Sequence, residues 1–144
     1  MFNRGSQLTI QTDQVTKHKK KKKRNIELKK KTRIYYLAHP LTTHGNINYN
    51  RNHEAYIAKK IQEQYPDATV IRPLTILSHY LNKKEAYDVC DRLMSVSDTL
   101  IFASDEWRQS KGCMHEYEQA RKQNMQILQC IEKDNKMIFF EIVR

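Results

Sequence analysis

The residues best suited to chemistry lie in one stretch of the chain, between Asp98 and Ala120. An apolar run there leads into a polar loop that ends in Ser110-x-Gly112, and a helix is predicted to follow at once. A serine and a glycine at the start of a helix can hold a phosphate against backbone N–H groups that have no helical partner. Glu116 lies about one turn inside that helix and is expected to face the same cavity. The spacing therefore indicates a site that binds a phosphorylated small molecule and presents a nucleophile to it.

This pattern also has a structural interpretation, the capping box, in which a serine caps a helix and a glutamate three residues later reaches back. Ser110 and Glu116 are further apart than that, so the capping box fits poorly. Glu118 lies further round the helix and is predicted to face solvent.

Two acidic residues upstream are further candidates. Asp91 adjoins Cys90 on the apolar edge of a predicted helix, where a carboxylate needs a partner or a function. Asp98 stands at the junction between that helix and the next strand, where it either binds loop N–H groups or belongs to the site. Two acids near one nucleophile can push their pKa values apart and leave one as a proton donor. We therefore count Asp91 and Asp98 among the candidate catalytic residues.

Two aromatic side chains are candidates that have an alternative place in the core. Tyr35 and Tyr36 point to opposite faces of a predicted strand, so one of the two hydroxyls can reach the site. Trp107, the sole tryptophan, lies in the polar loop. It either stacks on a base, closes the site, or serves as a structural plug.

The formal net charge of +10 is concentrated at the N-terminus. Residues 1–33 hold 12 Lys and Arg but two acids, whereas basic and acidic residues balance over residues 34–144. Such a segment cannot bury enough apolar surface to offset its ordering entropy, so residues 1–32 are predicted to form a disordered basic arm. The run from Lys19 to Arg24 suits weak contact with nucleic acid or another anionic surface, or a nuclear-import signal; a solvated tail is the alternative.

Residues 33–144 are predicted to form one domain. No stretch approaches the roughly 20 apolar residues of a membrane span, and no apolar core follows the basic run as it does in a secretory signal. We therefore expect a cytoplasmic protein without a membrane partner.

The cysteines and histidines show no metal-ligand spacing. Cys90, Cys113 and Cys130 lie in apolar surroundings and are interpreted as reduced packing residues, with a reactive Cys113 as the alternative. We expect no metal and no cofactor.

Apolar patterning predicts strands that alternate with helices, which indicates an α/β protein. We expect a doubly wound, mostly parallel sheet of four to five strands in a three-layer α/β/α arrangement. The predicted strands are 33–38, 68–71, 99–103, 127–131 and 137–143, and the predicted helices are 50–64, 83–97 and 112–124, with a loop and one helical turn over 75–82. In such a sheet ligands lie beyond the carboxyl ends of the strands. The loops there hold His39, Pro40, Thr42, Thr43, His44, Asn46, Trp107, Ser110 and Gly112.

Four segments resemble motifs of the nucleoside 2-deoxyribosyltransferase superfamily, which includes the 2′-deoxynucleoside 5′-phosphate N-hydrolases and small bacterial and phage relatives. The segments are Ile34-Tyr35-Tyr36-Leu37-Ala38-His39-Pro40, Val70-Ile71-Arg72-Pro73, Ser97-Asp98-Thr99-Leu100-Ile101 and Trp107-x-x-Ser110-x-Gly112-x-x-x-Glu116-x-x-x-Ala120. Their order and spacing carry the resemblance, which spans residues 33–131 and implies a flavodoxin- or Rossmann-like sheet.

The resemblance implies that Glu116 attacks the anomeric carbon of a deoxyribose, releases the base, and forms a covalent glycosyl-enzyme that water or a second base resolves. It implies that Asp91 assists base departure, with Asp88 as the alternative in register, and that Tyr36 is the site tyrosine. Ser110 matches a phosphate-binding serine of the hydrolases, where the transferases carry an aspartate, which favours a nucleotide over a free nucleoside. Because family enzymes are homo-oligomers, at least a homodimer is expected.

The first loop departs from the family pattern. His39 replaces a glycine, so its imidazole either narrows the pocket or adds a contact to phosphate or base. The loop also lacks the arginine that the hydrolases use on phosphate, for which Arg51, Arg72 and Arg108 are the candidate substitutes. The candidate substrate-binding residues are His39, Pro40, Trp107, Ser110 and Gly112.

The sequence therefore predicts an N-glycosidic bond hydrolase or transferase that acts on a (deoxy)nucleoside 5′-monophosphate. Two alternatives stay open. One is a nucleotide-binding or sequestering module without turnover, and the other is a nucleic-acid-associated protein whose basic arm carries the affinity.

Overall fold

The structure is a computed structural model that describes residues 33–42, 46–77 and 83–142. Within these residues the chain forms strands that alternate with helices. The strands are β1 (Arg33–Ala38), β2 (Ala68–Ile71), β3 (Thr99–Phe102), β4 (Gln126–Lys133) and β5 (Lys136–Glu141). The helices are α1 (Ile47–Gln64), α2 (Pro73–Leu77), α3 (Lys83–Ser95) and α4 (Lys111–Lys122), and a 3-10 turn covers Trp107–Gln109.

The five strands form one sheet in the order β2-β1-β3-β4-β5. β1 is parallel to both of its neighbours, β3 is parallel to β4, and the β4–β5 pair is antiparallel. The predicted α/β class and the mostly parallel sheet are therefore confirmed. Because β1, β2 and β3 run in one direction, the loops that follow them leave the sheet at one side, which we call the carboxyl edge. β2 lies on one side of β1 and β3 lies on the other, so the direction in which strands are added to the sheet reverses at β1. Parallel α/β sheets bind ligands at such a reversal, beyond the carboxyl ends of the strands.

The sheet carries a buried cluster on each face, because successive side chains of β1 point to opposite sides. Tyr35 packs on one face with Ile61 of α1. Tyr36 packs on the other face with Met94 of α3 and Ala120 of α4. The two helices that carry Asp91, Gly112 and Glu116 thus belong to the Tyr36 face.

Two helices begin earlier than predicted because polar side chains cap them. α1 begins at Ile47 instead of residue 50, where Asn46 Oδ1 accepts a hydrogen bond from the N–H of Tyr49 at 2.9 Å. α4 begins at Lys111 instead of residue 112, with Ser110 as its cap.

Other differences lie at element ends. The helical turn expected within 75–82 is present as α2 but begins earlier, at Pro73, and its apolar Leu74 is buried. α3 ends at residue 95 instead of 97, and the 3-10 turn after β3 is a feature that the sequence patterns did not predict. Strands β1 and β2 have their predicted bounds.

Several predictions fall outside the described residues. These are the basic arm over 1–32, including the run from Lys19 to Arg24, and the loop residues Thr43 and His44. In the described ranges, none of the helices has the length and apolar character that a membrane crossing requires.

Candidate functional site

A cavity of about 440 Å³ lies at the carboxyl edge of the sheet, and we call it the large cavity. Its walls come from the loop after β1, from α1, α2 and α3, and from the start of α4. Four of the candidate residues line it: His39, Ser110, Gly112 and Glu116. The structure therefore brings the candidate nucleophile and the candidate phosphate-binding turn to one cavity.

Glu116 on α4 is almost completely buried, with 6% of the residue exposed. The hydroxyl of Tyr36, on β1, donates a hydrogen bond to Glu116 Oε2. Burial raises the pKa of Glu116 to about 7, and hydrogen bonds from Tyr36 and Cys90 oppose the rise. Near neutral pH the group therefore exists both as acid and as carboxylate, a state common among catalytic carboxyl groups.

Tyr36 contacts Glu116 from the core of the protein and not from the large cavity. Its side chain is completely buried, and the large cavity does not include it in its lining. Burial, and secondly the charge of Glu116, raise the pKa of Tyr36 well above its ordinary value. Tyr36 therefore stays protonated at neutral pH and holds the carboxylate by donating to it.

Two thiols stand beside Glu116. Cys90 and Cys113 are free, buried and part of the cavity wall. Burial and the neighbouring Glu116 raise the pKa of Cys90 to about 12 and hold that of Cys113 well above its ordinary value. Both side chains remain thiols at neutral pH, so the alternative of a reactive Cys113 gains no support. Cys130, on β4, is also free and buried.

The start of α4 presents backbone donors to the large cavity. Ser110 Oγ accepts a hydrogen bond from the N–H of Cys113 at 3.1 Å, so Ser110 caps α4. This is not a capping box, because the third residue after Ser110 is Cys113 and Glu116 is bound by Tyr36. The N–H groups of Lys111 and Gly112 have no carbonyl partner within the helix. A Cβ placed on Gly112 would meet Ser110 Oγ at an ordinary 3.8 Å, so the space above Gly112 is open. The turn combines open backbone donors with the positive end of a helix dipole.

The structure distinguishes between the three candidate arginines. Arg51 of α1 lines the large cavity, and its buried Nε has no hydrogen-bond partner among the described residues. Arg72 lies 3.5 Å from Glu54 Oε1, in an ion pair. Arg108 lies over the ring of Trp107, 4.2 Å from its centroid. Arg51 is therefore the arginine that can meet an anion in this cavity.

His39 lines both the large cavity and a second, small cavity of about 140 Å³. The residue is 6% exposed. Nδ1 lies 2.8 Å from the carbonyl oxygen of Pro40, and Nε2 lies 2.8 Å from Nδ1 of His53. Pro40 lines the small cavity and not the large one.

Asp91 does not line the large cavity. Its Oδ1 lies 2.8 Å from His115 Nε2, and both side chains are partly exposed. Asp91 affects Glu116 through its negative charge, which raises the pKa of Glu116. The alternative in register, Asp88, is exposed and pairs with Lys84 at 3.2 Å.

Asp98 lies away from the cavity, at the opposite edge of the sheet. Its Oδ2 accepts a hydrogen bond from the N–H of Ile34 at 2.8 Å, and Oδ1 lies 3.8 Å from Arg33. Because Ile34 and Asp98 both lie where their parallel strands begin, the carboxylate joins β1 to the start of β3. Asp98 therefore binds a backbone N–H where two strands begin. This corrects the prediction that counted it among the candidate catalytic residues.

Trp107 is a structural plug. It is 1% exposed, and its ring stacks on Phe102 with centroids 4.2 Å apart and an interplanar angle of 7°. Tyr117 of α4 covers it at 5.1 Å. The large cavity does not include Trp107 in its lining, so the structure favours the plug over the substrate-binding role. Glu118, the predicted surface residue, is exposed and pairs with Arg121 at 3.4 Å.

Glu54 is a buried acid that the sequence reasoning missed. It is fully buried on α1, where Oε2 accepts from the N–H of Leu74 at 2.9 Å and Oε1 pairs with Arg72. Burial raises the pKa of Glu54, and its charge also raises that of Glu116. Its position one turn before Ile57, on the apolar stripe of α1, was the available signal. The hydrogen bond and the ion pair of Glu54 thus stabilise the start of α2, whose Pro73 and Leu74 form part of the cavity wall.

The fold and the site define an α/β protein with a cavity at the carboxyl edge that holds a buried glutamate and an anion-binding helix start. Residues 33–129 match the sequence model of a family described as a domain of unknown function, DUF4406, and the chain belongs to that family. Neither a curated protein nor a solved structure matches the chain. In the described ranges, no group of three or more His, Cys, Asp or Glu side chains could hold a metal ion.

Proposed function

We propose that the protein cleaves the N-glycosidic bond of a (deoxy)nucleoside 5′-monophosphate, with Glu116 as nucleophile, as the resemblance to the nucleoside 2-deoxyribosyltransferase superfamily implies. One observation carries the proposal: Glu116 and the Ser110-x-Gly112 turn line the same cavity. A sugar phosphate held at the turn would place its ring beside the carboxylate.

The phosphate would lie between α4 and Arg51. The N–H groups of Lys111 and Gly112 donate to its oxygens, and the guanidinium of Arg51 supplies the opposite charge from α1. The open space above Gly112 allows close approach. The apolar wall of the cavity, from Leu74, Leu77, Ala86 and Tyr87, would take the base.

The reaction has two steps. In the first step an oxygen of the Glu116 carboxylate bonds to C1′ while the C1′–N bond breaks. The electron pair of the broken C1′–N bond leaves with the base, and the base then takes a proton from water. Water then attacks C1′, the bond to Glu116 breaks, and the proton of that water returns to solvent. A second base in place of water gives transfer instead of hydrolysis.

Tyr36 has a positioning role in this scheme. Its hydroxyl fixes the orientation of the carboxylate and stabilises the ionised form that attacks. Asp91 contributes its charge, which favours an oxocarbenium-like transition state near Glu116.

The finer architecture is part of the proposal. Clusters on both faces of the sheet, with α1 on the Tyr35 side and α3 and α4 on the Tyr36 side, support a doubly wound, three-layer α/β/α arrangement. By the family resemblance we also propose a cytoplasmic homodimer or larger homo-oligomer, which size-exclusion chromatography with light scattering would test.

Incubation of the protein with the common deoxynucleoside 5′-monophosphates tests the function, with free base measured by chromatography. Time-dependent release of base, absent with free deoxynucleosides, supports the proposal. A protein that binds these nucleotides and releases no base from any of them contradicts it.

The second candidate is a nucleotide-binding module without turnover. It is favoured by the pairing of Asp91 with His115, because this pair leaves Glu116 as the one acidic side chain lining the large cavity among the described residues. Binding without base release in the same experiment is its expected result.

A further inference from the structure

We propose that His39, braced by His53, is a specificity-determining wall that restricts the large cavity to a terminal phosphate monoester and excludes a second phosphoryl group. This inference rests on the phosphate position of the proposed function. It concerns which nucleotides fit, and does not depend on whether they are cleaved.

The hydrogen bonds of His39 make its ring a wall and not a phosphate ligand. The carbonyl oxygen of Pro40 can only accept, so Nδ1 of His39 carries the proton and donates to it. In a neutral ring Nε2 is then an acceptor, and Nδ1–H of His53 donates to it. Both ring nitrogens are thus occupied within the protein. Of the two effects expected from replacing a glycine here, narrowing of the pocket is the one that this geometry supports.

The wall is held rigidly. The rings of His39 and His53 meet edge to face, with centroids 5.0 Å apart, and His53 stacks on Tyr49 with an interplanar angle of 5°. The ring of His39 would have to break two hydrogen bonds to leave its place. A ligand must therefore accommodate to this wall.

The small cavity is lined by chain segments that adjoin the proposed phosphate position. Arg51 of α1 lines the large cavity, and its neighbours Asn50 and His53 line the small one. On the other side, the segment before Ser110 contributes Ser104, Asp105 and Glu106 to the small cavity. A chain of phosphates that starts between Arg51 and α4 would therefore be directed towards His39 and the space behind it.

The space behind the wall is unsuited to an anion. Asp105 and Glu106 line the small cavity, while Lys and Arg side chains are absent from its lining among the described residues. A second phosphoryl group would displace the His39 ring and approach the carboxylate of Asp105. Steric exclusion and like-charge repulsion act in the same direction, against nucleoside diphosphates.

Equilibrium binding tests the inference, with a deoxynucleoside 5′-monophosphate and the diphosphate of the same base titrated into the full chain by calorimetry. We expect the diphosphate to bind at least about tenfold more weakly than the monophosphate. His39→Gly should reduce this preference by removing the wall, and Asp105→Asn should reduce it by removing the charge. Asp67→Asn is the matched control, because Asp67 is exposed and lines neither cavity, so the variant should keep the preference.

The Asp105→Asn variant protects the test against misfolding of His39→Gly. Asp105 is exposed, and the backbone N–H of Glu106 binds Ser104 Oγ at 3.1 Å, so the turn does not depend on the Asp105 carboxylate. Equal binding of both nucleotides by the wild-type chain overturns the inference while leaving the proposed function intact. A preference that persists undiminished in the variants also overturns it. Binding of neither nucleotide overturns both proposals, and selective binding without base release overturns only the proposed cleavage.

Discussion

The hydroxyl of Tyr36 on β1 donates a hydrogen bond to the carboxylate of Glu116 on α4, which joins the centre of the sheet to the candidate nucleophile. The two residues are 80 positions apart in the chain. Both are buried, so the bond operates away from competing water. Glu116 consequently faces the large cavity with its orientation fixed by a residue that the cavity does not expose.

Replacing Tyr36 by Phe removes this donor and keeps the ring in the core. Because the hydrogen bond lowers the pKa of Glu116, its loss should move the acid limb of the kcat/KM profile upward by about one pH unit or more. Tyr35→Phe is the matched control, since Tyr35 points to the other face of the sheet. The same acid limb in wild type and Tyr36→Phe would contradict the positioning role.

The pKa of Glu116 has a consequence for stability. In the folded state the group binds its proton up to about pH 7, whereas in the unfolded chain it releases the proton near its ordinary value of 4.5. The folded state therefore holds more protons between these values, and the free energy of unfolding should fall as pH rises through this window.

Glu116→Gln should lack this contribution. Relative to wild type, the variant should gain about 3 kcal/mol of unfolding free energy between pH 4.5 and pH 8. Urea unfolding of both proteins across this range measures the difference. Parallel pH dependences for the two proteins would show that burial does not perturb this carboxyl group.

Gly112→Ala separates ligand binding from folding. The added methyl group meets Ser110 Oγ at 3.8 Å and no closer neighbour, so stability should be unchanged or rise by up to about 1 kcal/mol. The methyl group does enter the space where a phosphate would approach the backbone, so nucleotide affinity should fall. Thermal unfolding and calorimetric titration together check this, and unchanged affinity would place the phosphate elsewhere.

Arg51→Gln tests the counter-charge on the phosphate. Loss of a charge-assisted hydrogen bond should weaken monophosphate binding by about 1.5–3 kcal/mol, or about 10- to 100-fold. Arg108→Gln is the control, because that guanidinium lies over Trp107 outside the cavity. Equal effects of the two substitutions on Kd would argue for a general loss of positive charge and against a specific contact.

The features that could be predicted from sequence are local or periodic. Strands β1 and β2 could be predicted from short apolar runs that are followed by prolines. Helical spacing predicted that Ser110 and Gly112 lie at the start of a helix with Glu116 about one turn further on. Such patterns depend on the periodicity of a single helix or strand and not on contacts with elements that are distant in the sequence.

The features that could not be predicted depend on contacts between distant elements. The binding of Glu54 to Leu74 and the pairing of Asp91 with His115 are set by how helices pack, not by their spacing in sequence. Asp98 was ambiguous because both edges of a parallel sheet carry loops, and only the strand register places it at the far edge. Trp107 was ambiguous because a polar loop gives no sign of the Phe102 ring beneath it.

The most direct measurement is the rate of base release from deoxynucleoside 5′-monophosphates by the wild-type protein and by Glu116→Gln, at pH 8 where the carboxylate prevails. The variant keeps a side chain of the same size, and calorimetric titration would confirm that it still binds the nucleotide. The account predicts a loss of at least about 10³-fold in rate with binding retained. Release of base by Glu116→Gln at a rate close to that of the wild-type protein would contradict the assignment of Glu116 as the nucleophile.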